Sequence, residues 1–204
     1  MPPRSEIARS LKGLWLLGQG NRAALSLFGT SRADVIRSFL AIPLSLPALL
    51  AYLILERQQY LAETSDVSLL DDEYYVKAVT IEMLALGLLP IVIALCVPLL
   101  RLPASTSSWV ILNNWILVPG NYVVAPLVYL AHSVDDGSEF GLITGLVILA
   151  VGAIVLLAWC WAVLKTASGA PNWKVAFFLG VNGSAQYLLL TGLQAAFGIP
   201  SSYE

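Results

Sequence analysis

Five long stretches of the chain are almost unbroken apolar sequence, with the polar residues gathered between them. They cover approximately 35–55, 76–100, 108–130, 141–164 and 173–197. A hydrocarbon layer about 30 Å thick takes about 20 residues of helix to cross, and each stretch reaches that length. Backbone polar groups in lipid must find partners within the protein, which leaves helices or closed barrels. Barrel strands would alternate polar and apolar residues, and these stretches do not. The pattern predicts an all-α integral membrane bundle of five transmembrane helices.

Capping residues sharpen the boundaries. Ser31 and Asp34 fit a capping box before the first span. Asp71 and Asp72 precede the second, Ser105 to Ser108 the third, and Ser138 the fourth. Gly169 suits a left-handed cap ending the fourth helix, and Pro171 the first turn of the fifth. Pro43, Pro47, Pro90, Pro98, Pro119 and Pro126 fall inside spans and predict kinks in the first three helices. No internal repeat is visible.

Residues 1–30 form a different region, a basic arm ahead of the transmembrane domain at 31–204. Ile7, Leu11, Leu14 and Trp15 recur at helical spacing, with Arg9 and Lys12 off that stripe. This predicts an amphipathic interfacial helix lying on the membrane, with Arg9, Lys12, Trp15 and Arg22 at the lipid surface. Anionic lipid would favour it by about 1 kcal/mol per basic residue. Gly18, Gln19, Gly20 and Asn21 then break the helix, and a short amphipathic turn from Arg22 to Phe28 follows. The only apolar block before the first span is Leu14 to Leu17, too short for the core of a secretory signal. The first span is therefore expected to be retained.

Composition agrees with a membrane protein. Of 204 residues, 58% are hydrophobic and 12% charged, half the charge of an average soluble domain. Mean hydropathy is +0.78. The net charge of −2 matters less than how the charges are sorted. Nine basic residues fall on one side of the five-span plan: Arg4, Arg9, Lys12, Arg22, Arg32, Arg37, Arg101, Lys165 and Lys174. The other side has Arg57 and Lys77, and it collects Glu56, Glu63, Asp66, Asp71, Asp72, Glu73, Asp135, Asp136, Glu139 and Glu204. Basic residues stay on the cytoplasmic side, so the expected topology is N-terminus cytoplasmic and C-terminus periplasmic in a bacterial inner membrane. All six tryptophans fall in the cytoplasmic half of this plan, and most tyrosines toward the outer face.

Candidate chemistry is sparse. Glu82 is the one acid read as lying inside a span. Such a residue suggests a proton or cation site, or a polar contact with another helix. The third span carries Asn113, Asn114 and Asn121 around Pro119–Gly120. A break there would free carbonyls near the membrane centre, as in some transporters. Asn182 and Gln186 share a face of the fifth span and are placed to meet Asn121. Small residues at four-residue spacing, Gly141 with Gly145 and Ala176 with Gly180 and Ser184, mark helix-packing faces. Cys96 and Cys160 lie in apolar runs and read as buried hydrophobes. His132 with Asp135, Asp136 and Glu139 has no established metal-ligand spacing. No nucleophile elbow, zinc motif, phosphate loop or dinucleotide fingerprint occurs. No metal or other cofactor is expected, and no nucleic-acid partner.

The tract "LKGLWLLGQGNRAALSLFGTSRADVIRSFLAIPLSLP" resembles the opening of a group of small alphaproteobacterial-type membrane proteins. It combines a Trp-containing arm, an "AALSLF" segment and an Arg-Ser-Phe entry to the first span. The five-span plan is also similar to the Yip1 superfamily, which in eukaryotes is associated with membrane traffic and small GTPase partners. The resemblance covers about a quarter of the chain by motif and implies no reaction and no catalytic residues.

The expected function is that of a non-enzymatic multi-pass membrane protein working through helix or lipid contacts, as an assembly factor, complex subunit or envelope organiser. Its expected partners are the lipid bilayer and either itself or another membrane protein. The alternative is a small transporter or channel using Glu82, Asn121 and Gln186. A lipid-modifying enzyme centred on His132 ranks third.

Overall fold

The structure is a computed structural model that describes residues 4–63, 73–134 and 137–198. Its described residues form helices and turns. Helix α1 spans Arg4–Gly18, followed by a short 3-10 turn, Arg22–Leu27. Then come α2 (Arg32–Ser38), α3 (Ala41–Glu63), α4 (Tyr74–Leu99), α5 (Thr106–Val134), α6 (Glu139–Ser168) and α7 (Asn172–Phe197). Five helical stretches are long and apolar enough to cross a membrane: Arg32–Gln58, Tyr74–Leu99, Thr106–Val134, Glu139–Ser168 and Asn172–Phe197. Each overlaps one span expected from the sequence. The chain is an all-α, multi-pass membrane protein.

Local chemistry explains the boundaries. The Ser31 hydroxyl accepts from the Asp34 backbone N–H at 3.2 Å, and the Asp34 carboxylate accepts from the Ser31 N–H at 3.0 Å, closing the capping box. Ser138 caps α6 by accepting from the Gly141 N–H at 3.0 Å. Gly169 ends α6 in the left-handed region at φ 63°. Pro171 sits one position earlier than expected, as the residue before α7.

Of the three helices in which proline kinks are expected, the first is the one interrupted. Helix α5 runs unbroken through Pro119 and Gly120, so the break that a transporter-like site would use is absent there. The break falls in the first span, at Phe39–Leu40 between α2 and α3. Pro43 has no N–H to offer the Phe39 carbonyl, which instead accepts from Ile42 at 3.1 Å. That shorter bond tightens the chain into a turn. Pro47, Pro90, Pro98 and Pro126 stay within continuous helices.

Helix α5 is central, touching α3, α4, α6 and the arm, while α7 packs chiefly on α4 and also meets α6. The main core lies at one end of the bundle, the arm end. There Leu14 and Leu17 of α1 and Ala24 of the 3-10 turn pack with Trp109, Val163, Leu164, Ala167, Val175 and Phe178. Trp109 and Phe178 meet with ring centroids 4.4 Å apart. A smaller cluster, Leu49, Leu53, Tyr74 and Ala78, joins α3 to α4 at the far end. Only Val175 and Phe178 of α7 are buried.

The arm is built into this core. The apolar residues of α1 do not form a single stripe. Leu14 and Leu17 are buried, whereas Trp15 is 62% exposed. Buried Glu6, Ser10 and Gly13 complete the inward face, leaving Arg9, Lys12 and Trp15 outward. Gly18 lies against the Trp159 indole of α6, where a Cβ would meet Nε1 at 2.6 Å.

Candidate functional site

Two polar groupings form among the helices. The first lies at the arm end. Asn182 of α7 donates from Nδ2 to Asn113 Oδ1 of α5 at 3.1 Å. One residue on, Asn114 donates to the Ser38 hydroxyl at 2.9 Å, and Ser38 in turn donates to the Val35 carbonyl at 2.7 Å. Asn113, Asn114 and Ser38 are all buried. The network ties α2, α5 and α7 together at the depth of the main core. It is only half satisfied. Asn113 Nδ2, Asn114 Oδ1, Asn182 Oδ1 and Trp109 Nε1 are buried and make no hydrogen bond among the described residues. Elsewhere in the spans, Ser45 donates back to the Ala41 carbonyl and Ser168 to that of Leu164, each within its own helix.

Asn182 therefore meets Asn113 rather than Asn121. Asn121 and Gln186 are partly exposed and share no hydrogen bond with each other or with Glu82 among the described residues. The convergence of Glu82, Asn121 and Gln186 that the transport alternative calls for does not occur through hydrogen bonds among the described residues.

Glu82 belongs instead to a second grouping, at the far end between α3 and α4. The Glu56 carboxylate of α3 lies close enough to interact electrostatically with Glu82. Glu56 accepts from the Tyr52 hydroxyl at 3.4 Å, and the Tyr74 hydroxyl reaches it too. The Arg57 guanidinium stands 5.0 Å from the Tyr75 ring centre and 5.8 Å from that of Tyr74. The sequence puts Glu56, Arg57 and Tyr74 on the side opposite the arm, and they lie at that end of the bundle. The signal that would have found the cluster is the helical spacing of Tyr52 and Glu56, which carries them past the apolar stretch on one face. His132 is in the last turn of α5, while Asp135 and Asp136 lie outside the described residues. The described residues hold no group of three or more His, Cys, Asp or Glu placed to bind a metal ion.

The small-residue faces divide. Gly141 and Gly145 are buried, and a Cβ on Gly145 would meet the Ala131 carbonyl oxygen at 2.9 Å. That face packs α6 on α5 within the chain. Ala176, Gly180 and Ser184 point out of the bundle, and a Cβ on Gly180 would meet nothing within 4 Å. Part of this outward face lines a groove of about 580 Å³ between α6 and α7, formed by Leu157, Ala158, Trp161, Ala176, Leu179 and Gly180.

Basic side chains finish the arm end. Lys174 donates to the carbonyls of Leu100 at 2.6 Å and Arg101 at 3.1 Å, closing the end of α4. Lys165 donates to the Ala170 carbonyl at 2.6 Å. Arg22 packs against Gly169, and Arg37 pairs with Glu6 at 4.0 Å and Asp34 at 3.8 Å. Compared with known protein families, characterised proteins and solved structures, the chain matches none.

Proposed function

We propose that this is a non-enzymatic protein of the bacterial inner membrane that works through helix and lipid contacts, as an assembly factor, complex subunit or envelope organiser. The observation that carries this reading is the outward small-residue face of α7. Membrane helices associate by close backbone approach along such faces. Gly141 and Gly145 already use theirs inside the chain, whereas Ala176, Gly180 and Ser184 are exposed and a Cβ on Gly180 would meet nothing within 4 Å. Exposed Tyr187 and Leu188 continue that face. An assembly role also fits a thin set of ionisable groups within the spans. The Yip1-like five-span plan, with the arm and N-terminus cytoplasmic, belongs to the same proposal. Capture from mild-detergent extracts tests it. Partners, or a second copy, are expected on the native protein and lost from Ser184→Leu and Leu188→Ala variants. A monomer that captures nothing overturns it.

A transport reading keeps one supporting observation, the presence of Glu56 and Glu82 on two helices that touch, with Glu56 bonded by Tyr52. Carboxylates on neighbouring spans are a setting in which a proton or cation is held. Asn121 and Gln186 make no hydrogen bond with Glu82 among the described residues, and Asn182 bonds Asn113 instead. Proton or cation flux in proteoliposomes, abolished by Glu82→Gln, would favour this reading. Absence of flux removes it.

A further inference from the structure

Two apolar grooves run along the outside of the bundle, and they differ in what stands at their ends. The one between α5 and α6 is lined by Val123, Leu127, Val147, Ile148, Val151, Gly152 and Val155, all within the apolar middle of the helices. The α6–α7 groove lies at the arm end and leads into cations. On α6 its stripe of Leu157, Ala158 and Trp161 continues one turn later to Lys165. On α7 its stripe of Ala176 and Gly180 starts one turn earlier, at Trp173, which is 62% exposed. The Lys174 ammonium lies 5.6 Å from the Trp173 ring centre, and the Arg22 guanidinium rests against Gly169 in the connecting loop. Residues 157–180 contain no Asp or Glu. The acids described at this end, Glu6 and Asp34, are paired with Arg37.

We propose that this groove binds an anionic phospholipid of the surrounding bilayer. One acyl chain lies along Trp161 and Gly180, and the headgroup meets Lys165 and Trp173. Lys165 spends one of its three N–H donors on the Ala170 carbonyl, leaving two for phosphate oxygens. The exposed indole of Trp173 suits the headgroup level. Lipid fits better than a second copy of the chain. Copies inserted with the same topology would pair side by side in parallel, bringing Lys165, Lys174 and Arg22 against their own counterparts with no acid between them. The proposal rests on α6 and α7 spanning a bilayer, and it gives a chemical identity to the lipid contacts in the function proposed above.

Brominated lipids test it by quenching tryptophan fluorescence. The purified protein is reconstituted in phosphatidylcholine bilayers containing a minor fraction of either brominated phosphatidylglycerol or brominated phosphatidylcholine. The difference between native and Trp161→Phe proteins isolates the groove signal. Quenching by the brominated phosphatidylglycerol is expected to exceed that by the phosphatidylcholine, with a preference of roughly fivefold for each cation engaged. Lys165→Gln lowers the preference by about that factor, and Lys165→Arg keeps it. Gly180→Leu, whose Cβ enters open space, fills the groove with its side chain and removes the groove signal. Equal quenching by the two lipids overturns the proposal, as does a phosphatidylglycerol preference that survives both Lys165→Gln and Gly180→Leu. A cross-linked dimer formed in pure phosphatidylcholine and dispersed by Gly180→Leu assigns the groove to a second copy and likewise overturns it. A dimer through Gly180 would support the association face of α7 while overturning the lipid proposal, and loss of capture in Ser184→Leu leaves the quenching preference to be decided by Lys165, so the two proposals fail separately.

Discussion

Asn182 donates its side-chain amide to Asn113 across 3.1 Å, and this bond joins α7 to α5 beside the contact of Phe178 with Trp109. Two buried residues are few for a helix of 26. The asparagine pair therefore carries an unusual share of what holds α7 in place. Polar contacts of this kind between membrane helices contribute about 0.6 kcal/mol and reach about 1.7 kcal/mol. Asn182→Leu is expected to lower the stability of the detergent-solubilised protein within that range. The Asn113→Leu, Asn182→Leu double variant should lose less than the sum of the singles, because each single strands a buried amide. Thermal unfolding of the four proteins measures the coupling, and strict additivity would show that the bond contributes nothing.

The two small-residue faces predict opposite outcomes from one kind of substitution. A Cβ at Gly145 would press on the Ala131 carbonyl oxygen, whereas one at Gly180 enters open space. Gly145→Ala is expected to push α5 and α6 apart at a cost of about 1–3 kcal/mol. Gly180→Ala should leave stability unchanged or raise it by up to about 1 kcal/mol through helix propensity. Melting temperatures in one detergent decide this, and equal losses at both positions would mean that α7 is covered by something its own chain does not supply.

That contrast marks how far the sequence could be read. Five spans, the capping box at Ser31 and Asp34 and the left-handed end at Gly169 were legible, since each depends on neighbouring residues alone. The faces were not. Gly141 with Gly145 and Ala176 with Gly180 look alike as four-residue spacings, and which of them meets a neighbour depends on the arrangement of whole helices. Asn182 shows the same limit. Its position on the helix was readable, but the choice of Asn113 over Asn121 depends on how far α7 is shifted along α5. Glu56 was readable as lying at the end opposite the arm, but the continuation of α3 beyond it and its bond from Tyr52 were not. The arm was legible as a helix, but which of its apolar residues turn inward was set by the core it joins.

Arg101 is the one non-glycine described with a positive φ, at 49°. It forms the left-handed residue after α4, where the Leu102 N–H bonds the Val97 carbonyl at 3.0 Å and the Arg101 N–H bonds that of Pro98 at 3.1 Å. Glycine normally takes this position because it has no Cβ to strain. Arg101→Gly should hold or raise stability, by about 1 kcal/mol at most. Arg101→Val, branched at Cβ, should lower it by about 1–2 kcal/mol. Chemical denaturation of both variants checks the order, and a Val variant as stable as the Gly variant would contradict the described turn.

Lys12, Arg22, Arg101, Lys165 and Lys174 come from four separate parts of the chain, and the fold gathers them at the arm end of the bundle. Arg57 and Lys77 lie at the other end, where Lys77 pairs with Glu73 at 3.1 Å. Basic residues resist transfer across the membrane, so the arm end is expected to face the cytoplasm. Cysteine labelling in intact cells tests this. Cys96 and Cys160 are free and are first replaced by Ala. A single cysteine is then placed by Glu139→Cys at the far end or by Asn172→Cys at the arm end, both at exposed positions. A membrane-impermeant thiol reagent is expected to label the Glu139→Cys protein in intact cells and the Asn172→Cys protein only after lysis. The reverse pattern would turn the molecule over, placing the Lys165 end of the α6–α7 groove in the outer leaflet.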